Sequence, residues 1–213
     1  MQGLVGLALP GQDSASPLGG FFERVVKAGV LKENIFSFAL APGGVGELQF
    51  GSVAEAAVAP PKWLPVLPDR PGEWLVKGSI NGLERRMLLD TGSSTILGRK
   101  EDVLPIFEKL QDFIDVLEDP DGSIFAVLKD SSKLPTFTFT FGDFSFRLGK
   151  DALSYGTMPD GRQALSIMGD VIMEKFPKDV WIVGDAALRE VVYTCDWDGK
   201  RVGFSPHKNT IVV

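Results

Sequence analysis

Asp90-Thr91-Gly92 places a carboxylate, a hydroxyl and a glycine directly after the apolar run Met87-Leu88-Leu89, and Ser93-Ser94-Thr95-Ile96-Leu97-Gly98 follows. A carboxylate at the end of a buried strand, in a glycine-containing turn with hydroxyls around it, is suited to activating a water molecule. A single carboxylate can accept a proton from water. It cannot at the same time polarise the group that the water attacks, so this chemistry calls for two such loops. The sequence contains one Asp-Thr-Gly and no Asp-Ser-Gly. Other chemistries are poorly supplied. One cysteine, Cys195, and one histidine, His207, cannot build a zinc site or a Cys/His dyad. Cys195 reads as a small buried thiol in a strand, and it precludes an intrachain disulfide. His207 reads as an exposed residue beside the C-terminal tail.

The composition is that of a globular domain. The chain has 213 residues, 44% of them hydrophobic and 23% charged, which is long enough to bury a substantial core. The formal net charge of -6 and the absence of a Lys/Arg cluster argue against nucleic acid as a partner. No stretch approaches the roughly 20 apolar residues of a membrane span. Residues 1–10 are apolar but lack the basic start and longer apolar run of a secretory signal. A chain translated from Met1 would thus stay in the cytosol, unless an upstream segment has been lost. Asn34, Asn81 and Asn209 lack the Ser or Thr that N-glycosylation requires.

The elements that must position Asp90 read mainly as strands. A short apolar strand-like segment opens the chain, followed by a Gly/Ser/Pro loop over 12–20. Phe21, Phe22, Val25 and Val26 share one face of a helix over 21–28, with Gly29 as its stop. Residues 35–40 and 46–50 form a hairpin around Gly43-Gly44. Residues 54–62 hold Ala and Pro and few core formers, so they read as a linker between 1–53 and 63–213. Strands resume at 63–67, 73–80 and 83–89, with Asn81-Gly82 as a strong hairpin turn. Residues 100–110 alternate as an amphipathic helix with Val103, Leu104, Phe107 and Leu110 inward. Strands at 123–128, 136–141, 144–148, 180–183, 191–195 and 201–204 follow. The Thr/Phe alternation over 136–141 puts its phenylalanines on one face. Residues 155–176 read as mixed, with 158–173 as a surface loop and short helix in preference to the lining of a substrate groove. Many short strands at close turn spacing and few helices make a mainly β domain, with antiparallel sheets and a few short helices.

In this order the segments resemble the pepsin-like aspartic proteases. Leu88-Leu89-Asp90-Thr91-Gly92-Ser93-Ser94 is similar to the family's active-site loop. Trp181-Ile182-Val183-Gly184-Asp185-Ala186-Ala187-Leu188-Arg189 is similar to its C-terminal motif. Tyr193 to Pro206 resembles its final hairpin. Leu4-Val5-Gly6-Leu7-Ala8, then 21–38, and Gly46-Glu47-Leu48-Gln49-Phe50-Gly51 resemble the end of the N-terminal lobe and the inter-lobe connection. Each motif taken alone is weak, but this many in order along one chain are not a chance pattern.

The resemblance implies a bilobal enzyme with one catalytic aspartate per lobe. This chain would hold the C-terminal lobe (63–213) and a remnant of the N-terminal lobe (1–53). The first catalytic loop and the flap hairpin would lie in the part without a counterpart here. Asp90 is then the second catalytic aspartate. Thr91 supports the loop through its hydroxyl, Gly92 lets backbone approach the carboxylate, and Ser93 hydrogen-bonds an Asp90 oxygen. Ile182, Val183 and Gly184 pack beneath as support. Asp185 reads as a helix-starting residue, and Trp74 and Phe141 as core. Glu73 stands where the family often places an aromatic, and the disulfide usual in that lobe is precluded by the lone Cys195. No metal or cofactor is implied. The implied partners are a peptide or protein substrate, and either the missing lobe or a second copy of the chain. The alternative is a truncated, inactive β domain that binds a peptide or partner. Family members are typically secreted or vacuolar, and this chain carries no address of its own.

Overall fold

The computed structural model of the chain describes residues 3–11, 19–41 and 45–213. Most of the loop at 12–20 and the Gly43-Gly44 turn lie outside the described residues. The opening segment, read above as strand-like, has no regular secondary structure over 3–11. Its Leu4 and Val5 are exposed.

Two sheets carry the fold. The smaller has the order β2-β1-β14-β15-β3, built from β1 (Ile35–Leu40), β2 (Gly46–Phe50), β3 (Lys62–Pro65), β14 (Val192–Asp196) and β15 (Arg201–Ser205). It joins residues far apart in sequence, with Phe38 opposite Tyr193 and Phe36 opposite Cys195. A buried 2.8 Å hydrogen bond between the hydroxyls of Ser37 and Thr194 satisfies two polar groups that would otherwise be costly there. Cys195 is buried, as its position in a strand suggested. Helix α1 (Phe21–Lys27) packs on this sheet through Phe22, which meets Phe36 at 4.8 Å and Trp197 at 5.4 Å between ring centres.

The larger sheet comprises β4 (Leu75–Ile80), β5 (Leu83–Leu89), β6 (Ile96–Gly98), β7 (Ile114–Glu118), β8 (Ile124–Leu128), β9 (Thr138–Phe141), β10 (Phe144–Arg147), β11 (Ser154–Thr157), β12 (Gln163–Gly169), β13 (Val180–Val183) and β16 (Ile211–Val212). Its path is β16-β10-β9-β4-β5-β13-β6-β12-β8-β7, and β11 pairs with β12. Asn81 and Gly82 close the β4–β5 hairpin with φ of 48° and 81°. These are the left-handed values that a two-residue turn matching strand twist demands. Asn81 also accepts a 2.8 Å hydrogen bond from the Thr138 amide. Phe137, Phe139 and Phe141 are all buried, as their period-two spacing requires. Phe141 stacks on Phe204 at 4.3 Å, which ties the two sheets together. Helix α2 (Lys100–Glu108) buries Val103, Ile106 and Phe107.

Two further regions differ from the sequence reading. Residues 158–173 are not a surface loop. They contain β12, buried along most of its length between β6, β8 and β11. A strand covered on both faces shows no alternation, so its Gly and Met content concealed it. Asp170 starts the 3-10 helix Val171–Lys175 by accepting the Ile172 amide at 2.8 Å. His207 is partly buried and hydrogen-bonded rather than exposed.

Candidate active site

Asp90 follows the last residue of β5, and its amide donates to Val183 O at 3.0 Å. Strand β13 runs parallel to β5 and antiparallel to β6, so it lies between the two strands that flank the Asp90 turn. Beyond β13 the chain folds under the turn. Gly184 N–H donates to Thr95 O at 3.1 Å and Asp185 N–H to Ser93 O at 2.7 Å. A Cβ on Gly184 would lie 2.2 Å from Ser93 O and 2.4 Å from Thr95 O, closer than any side chain could be accommodated. Gly98 is similarly confined, since its Cβ would meet the Trp181 indole at 2.5 Å. Ile182, Val183 and Gly184 therefore sit beneath the turn, with their backbones in its ladder.

Above this support the carboxylate is held by its own loop. Gly92 N–H donates to Oδ1 of Asp90 at 2.9 Å, and the Ser93 hydroxyl donates to Oδ2 at 2.7 Å. The Ser93 amide closes the turn onto Asp90 O at 3.1 Å. Both oxygens are thereby oriented, and each keeps a lone pair for a water or second acid. Asp90 is partly exposed and opens onto a cleft of about 490 Å³. Thr91 and Gly92 also line it.

The cleft wall is apolar and comes from distant segments, including Phe38, Leu48, Phe50, Trp74 and Tyr193. Tyr193 stacks on Phe38 with 5.5 Å between ring centres and planes 7° apart. Burial pushes the Tyr193 phenol well above its usual range, and its neighbour Cys195 and then Asp90 add to this. Trp74 is buried and donates its indole N–H to Leu7 O at 2.9 Å, so it serves as core and cleft wall together. Glu73 lies at the cleft edge, paired with Arg70. Nothing in the local spacing marked Tyr193, Phe38 or Leu48 as neighbours of Asp90. The β1–β14 and β1–β2 pairings bring them there.

Asp185 begins the short helix α4 (Asp185–Leu188). Its Oδ1 is buried without a hydrogen-bond partner. Burial raises its carboxyl above the ordinary range, Asp90 raises it further, and Arg189 pulls it back. Among the described residues, no group of three or more His, Cys, Asp and Glu side chains could hold a metal ion. No described helix is long and apolar enough to cross a membrane.

Comparison with known proteins accords with this geometry. The sequence matches the family described as eukaryotic aspartyl protease over residues 1–207. It is 30% identical over 210 residues to Secreted aspartyl protease 1 of Malassezia globosa, covering 98% of this chain and 51% of that protein. It is 28% identical over 208 residues to the same fungus's Probable inactive secreted aspartyl protease, covering 94% and 53%. To gastricsin of Oryctolagus cuniculus it is 26% identical over 220 residues, covering 95% and 54%. The chain spans about half the length of these curated relatives. With one Asp-Thr-Gly turn carried on interlocked strands and a family match along nearly its whole length, this chain belongs to the pepsin-like family of eukaryotic aspartyl proteases.

Proposed function

We propose that this chain supplies the second catalytic aspartate, Asp90, of an aspartic endopeptidase, and that a second carboxylate loop outside residues 1–213 completes the site. The observation that carries this reading is the state of Asp90. Its two oxygens are oriented by Gly92 and Ser93, yet its exposed side faces an open apolar cleft. In the complete site two close carboxylates cannot both ionise cheaply, so they hold one proton between them over an acidic range. The ionised partner takes a proton from the bound water, which attacks the peptide carbonyl. The protonated partner polarises that carbonyl, and a proton then passes to the leaving amine. Ser93 and Gly92 keep Asp90 facing the water. The apolar wall would receive bulky side chains of the substrate and lower the local dielectric. On this reading residues 63–213 form the second lobe, residues 1–53 belong to the first and to the connection, and 54–62 link them.

The test is complementation. The chain alone, shown to be folded, is assayed on a quenched peptide under acidic conditions, and then with the amino-terminal half of an active relative. The expected result is no turnover alone and pepstatin-sensitive turnover on mixing, abolished by Asp90→Asn. Turnover that survives Asp90→Asn would sink the proposal. Activity of the chain alone that rises faster than linearly with concentration would mean that two copies pair their Asp90 loops. A second reading is favoured by one observation. The cleft wall leaves Leu48 on β2 exposed, which suits an inactive β domain that binds a peptide or partner. Binding of peptide to the folded chain, with no turnover in any mixture, would support that alternative.

A further inference from the structure

Residues 208–213 lie beyond the stretch matched to the family, yet they are built into the larger sheet. In β16, Val212 pairs with Phe146 and Ile211 with Arg147, and the Val213 amide donates to Ser145 O at 3.1 Å. Ile211, Val212 and Val213 remain 46%, 55% and 53% exposed. With about half of each apolar side chain left in water, hydrogen bonds carry a substantial share of this strand's attachment.

The turn at 207–210, directly before this strand, is held by a separate set of bonds to the end of α4. The Thr210 hydroxyl accepts the His207 amide at 2.9 Å and donates to Glu190 O at 2.6 Å. Nε2 of His207 lies 2.9 Å from Arg189 O. A carbonyl oxygen can only accept, so Nε2 carries the hydrogen. The Asn209 amide donates to Nδ1 at 3.0 Å, so Nδ1 must be bare. Both ring nitrogens are committed, and only the neutral imidazole fits. A second proton would set one N–H against another and remove the Asn209 bond.

We propose that His207 is a proton-operated latch on the C-terminal strand: the neutral ring holds residues 207–213 against the end of α4 and the edge of β10, and protonation releases them. Charged residues flank the ring: Lys208 follows it in the turn, Arg189 ends α4, and Glu190 comes next. Glu190 accepts the Gly149 amide at 3.2 Å and stands near Asp151 of α3 (Lys150–Leu153). Arg147 faces Ile211 across the ladder. Burial raises the Glu190 carboxyl, so Glu190 also takes up a proton as the solution is acidified. Release bares the backbone edge of β10 for pairing with another strand.

His207 is the only histidine, so an imidazole signal reports on it alone. The experiment follows that ring by NMR and amide exchange at Asn209 and Val213 from about pH 8 to about pH 5, corrected for intrinsic exchange. Loss of one ordinary hydrogen bond predicts a drop in protection of about fivefold or more, in step with the ring titration. Glu190→Gln should retain that drop, and His207→Ala should show low protection at every pH. The Asp90 amide, in the β5–β13 ladder, should not change. Constant protection at Val213 while the ring protonates would overturn the latch. So would loss of the drop in Glu190→Gln with the ring still titrating, since Glu190 would then be the switch. These readouts do not depend on whether the chain takes part in proteolysis.

Discussion

Beneath Asp90, β13 lies locked between β5 and β6, and at Gly184 the chain passes so close that no side chain fits. Above it, the cleft wall rests on Phe38, Leu48 and Phe50, side chains of an outer strand pair only partly buried. The lower side is finished within this chain, with backbone groups paired and glycines placed where contact demands them. The upper side is an open apolar surface. Under the proposed function each lobe would orient its own aspartate, and the two lobes would share the proton and the cleft.

The largest effect should come from the locked side. Gly184→Ala forces a methyl group into the carbonyls of Ser93 and Thr95, and its expected cost is about 3 kcal/mol or more. Urea unfolding checks it, and a midpoint near that of the parent would show that the lower side can yield. Trp181→Phe comes next. It keeps most of the ring against Gly98 but loses the indole N–H that donates to Asp102 at 3.0 Å, for about 1–3 kcal/mol.

Two carboxylates sharpen the comparison through pH. Asp102 is partly buried, which by itself raises its carboxyl. Hydrogen bonds from Arg85 and Trp181 outweigh this and hold it below the usual range. The stability it contributes is present above the ordinary aspartate pKa and is lost as pH falls through its lower folded value. Asp185 is raised by burial, so its contribution is full below the ordinary pKa and is lost as pH rises through the higher folded value. Asp102→Asn should therefore destabilise the protein at neutral pH and much less in strong acid. Asp185→Asn should stabilise it at neutral pH and leave it unchanged in strong acid. Thermal unfolding across pH tests both, and parallel profiles for the two variants would refute the assignment.

The smallest effect belongs to the open wall. Leu48→Ser is expected to change stability by about 0.5 kcal/mol or less, because Leu48 is already 42% exposed. Its readout is binding of a peptide or of the complementary half, which should weaken. Unchanged binding would remove Leu48 from the cleft's working surface.

Much of this was legible before any coordinates. The Asn81-Gly82 turn, the Thr/Phe alternation of β9 and the run Val180–Val183 each carry a local signal, and each lies where that signal puts it. Strands β6, β7 and β12 carried none that was read. The first is three residues long, and β12 is covered on both faces, so neither length nor alternation betrayed them. His207 looked like a terminal side chain because its partners, Arg189 O and the Asn209 amide, are backbone groups without a side-chain signature.

The sequence by itself determined the Asp90 carboxylate, its glycine turn and the mainly β class, because strand periodicity, turn chemistry and the Asp-Thr-Gly loop are local properties of the chain. The tertiary structure alone decided that Val183 and Gly184 meet Asp90 from below, that Tyr193 and Phe38 wall its cleft, and that the tail closes the edge of β10. Those relations join residues up to about 150 positions apart. No local propensity encodes which distant strand a given strand will pair with, since that choice is made by the packing of the whole core.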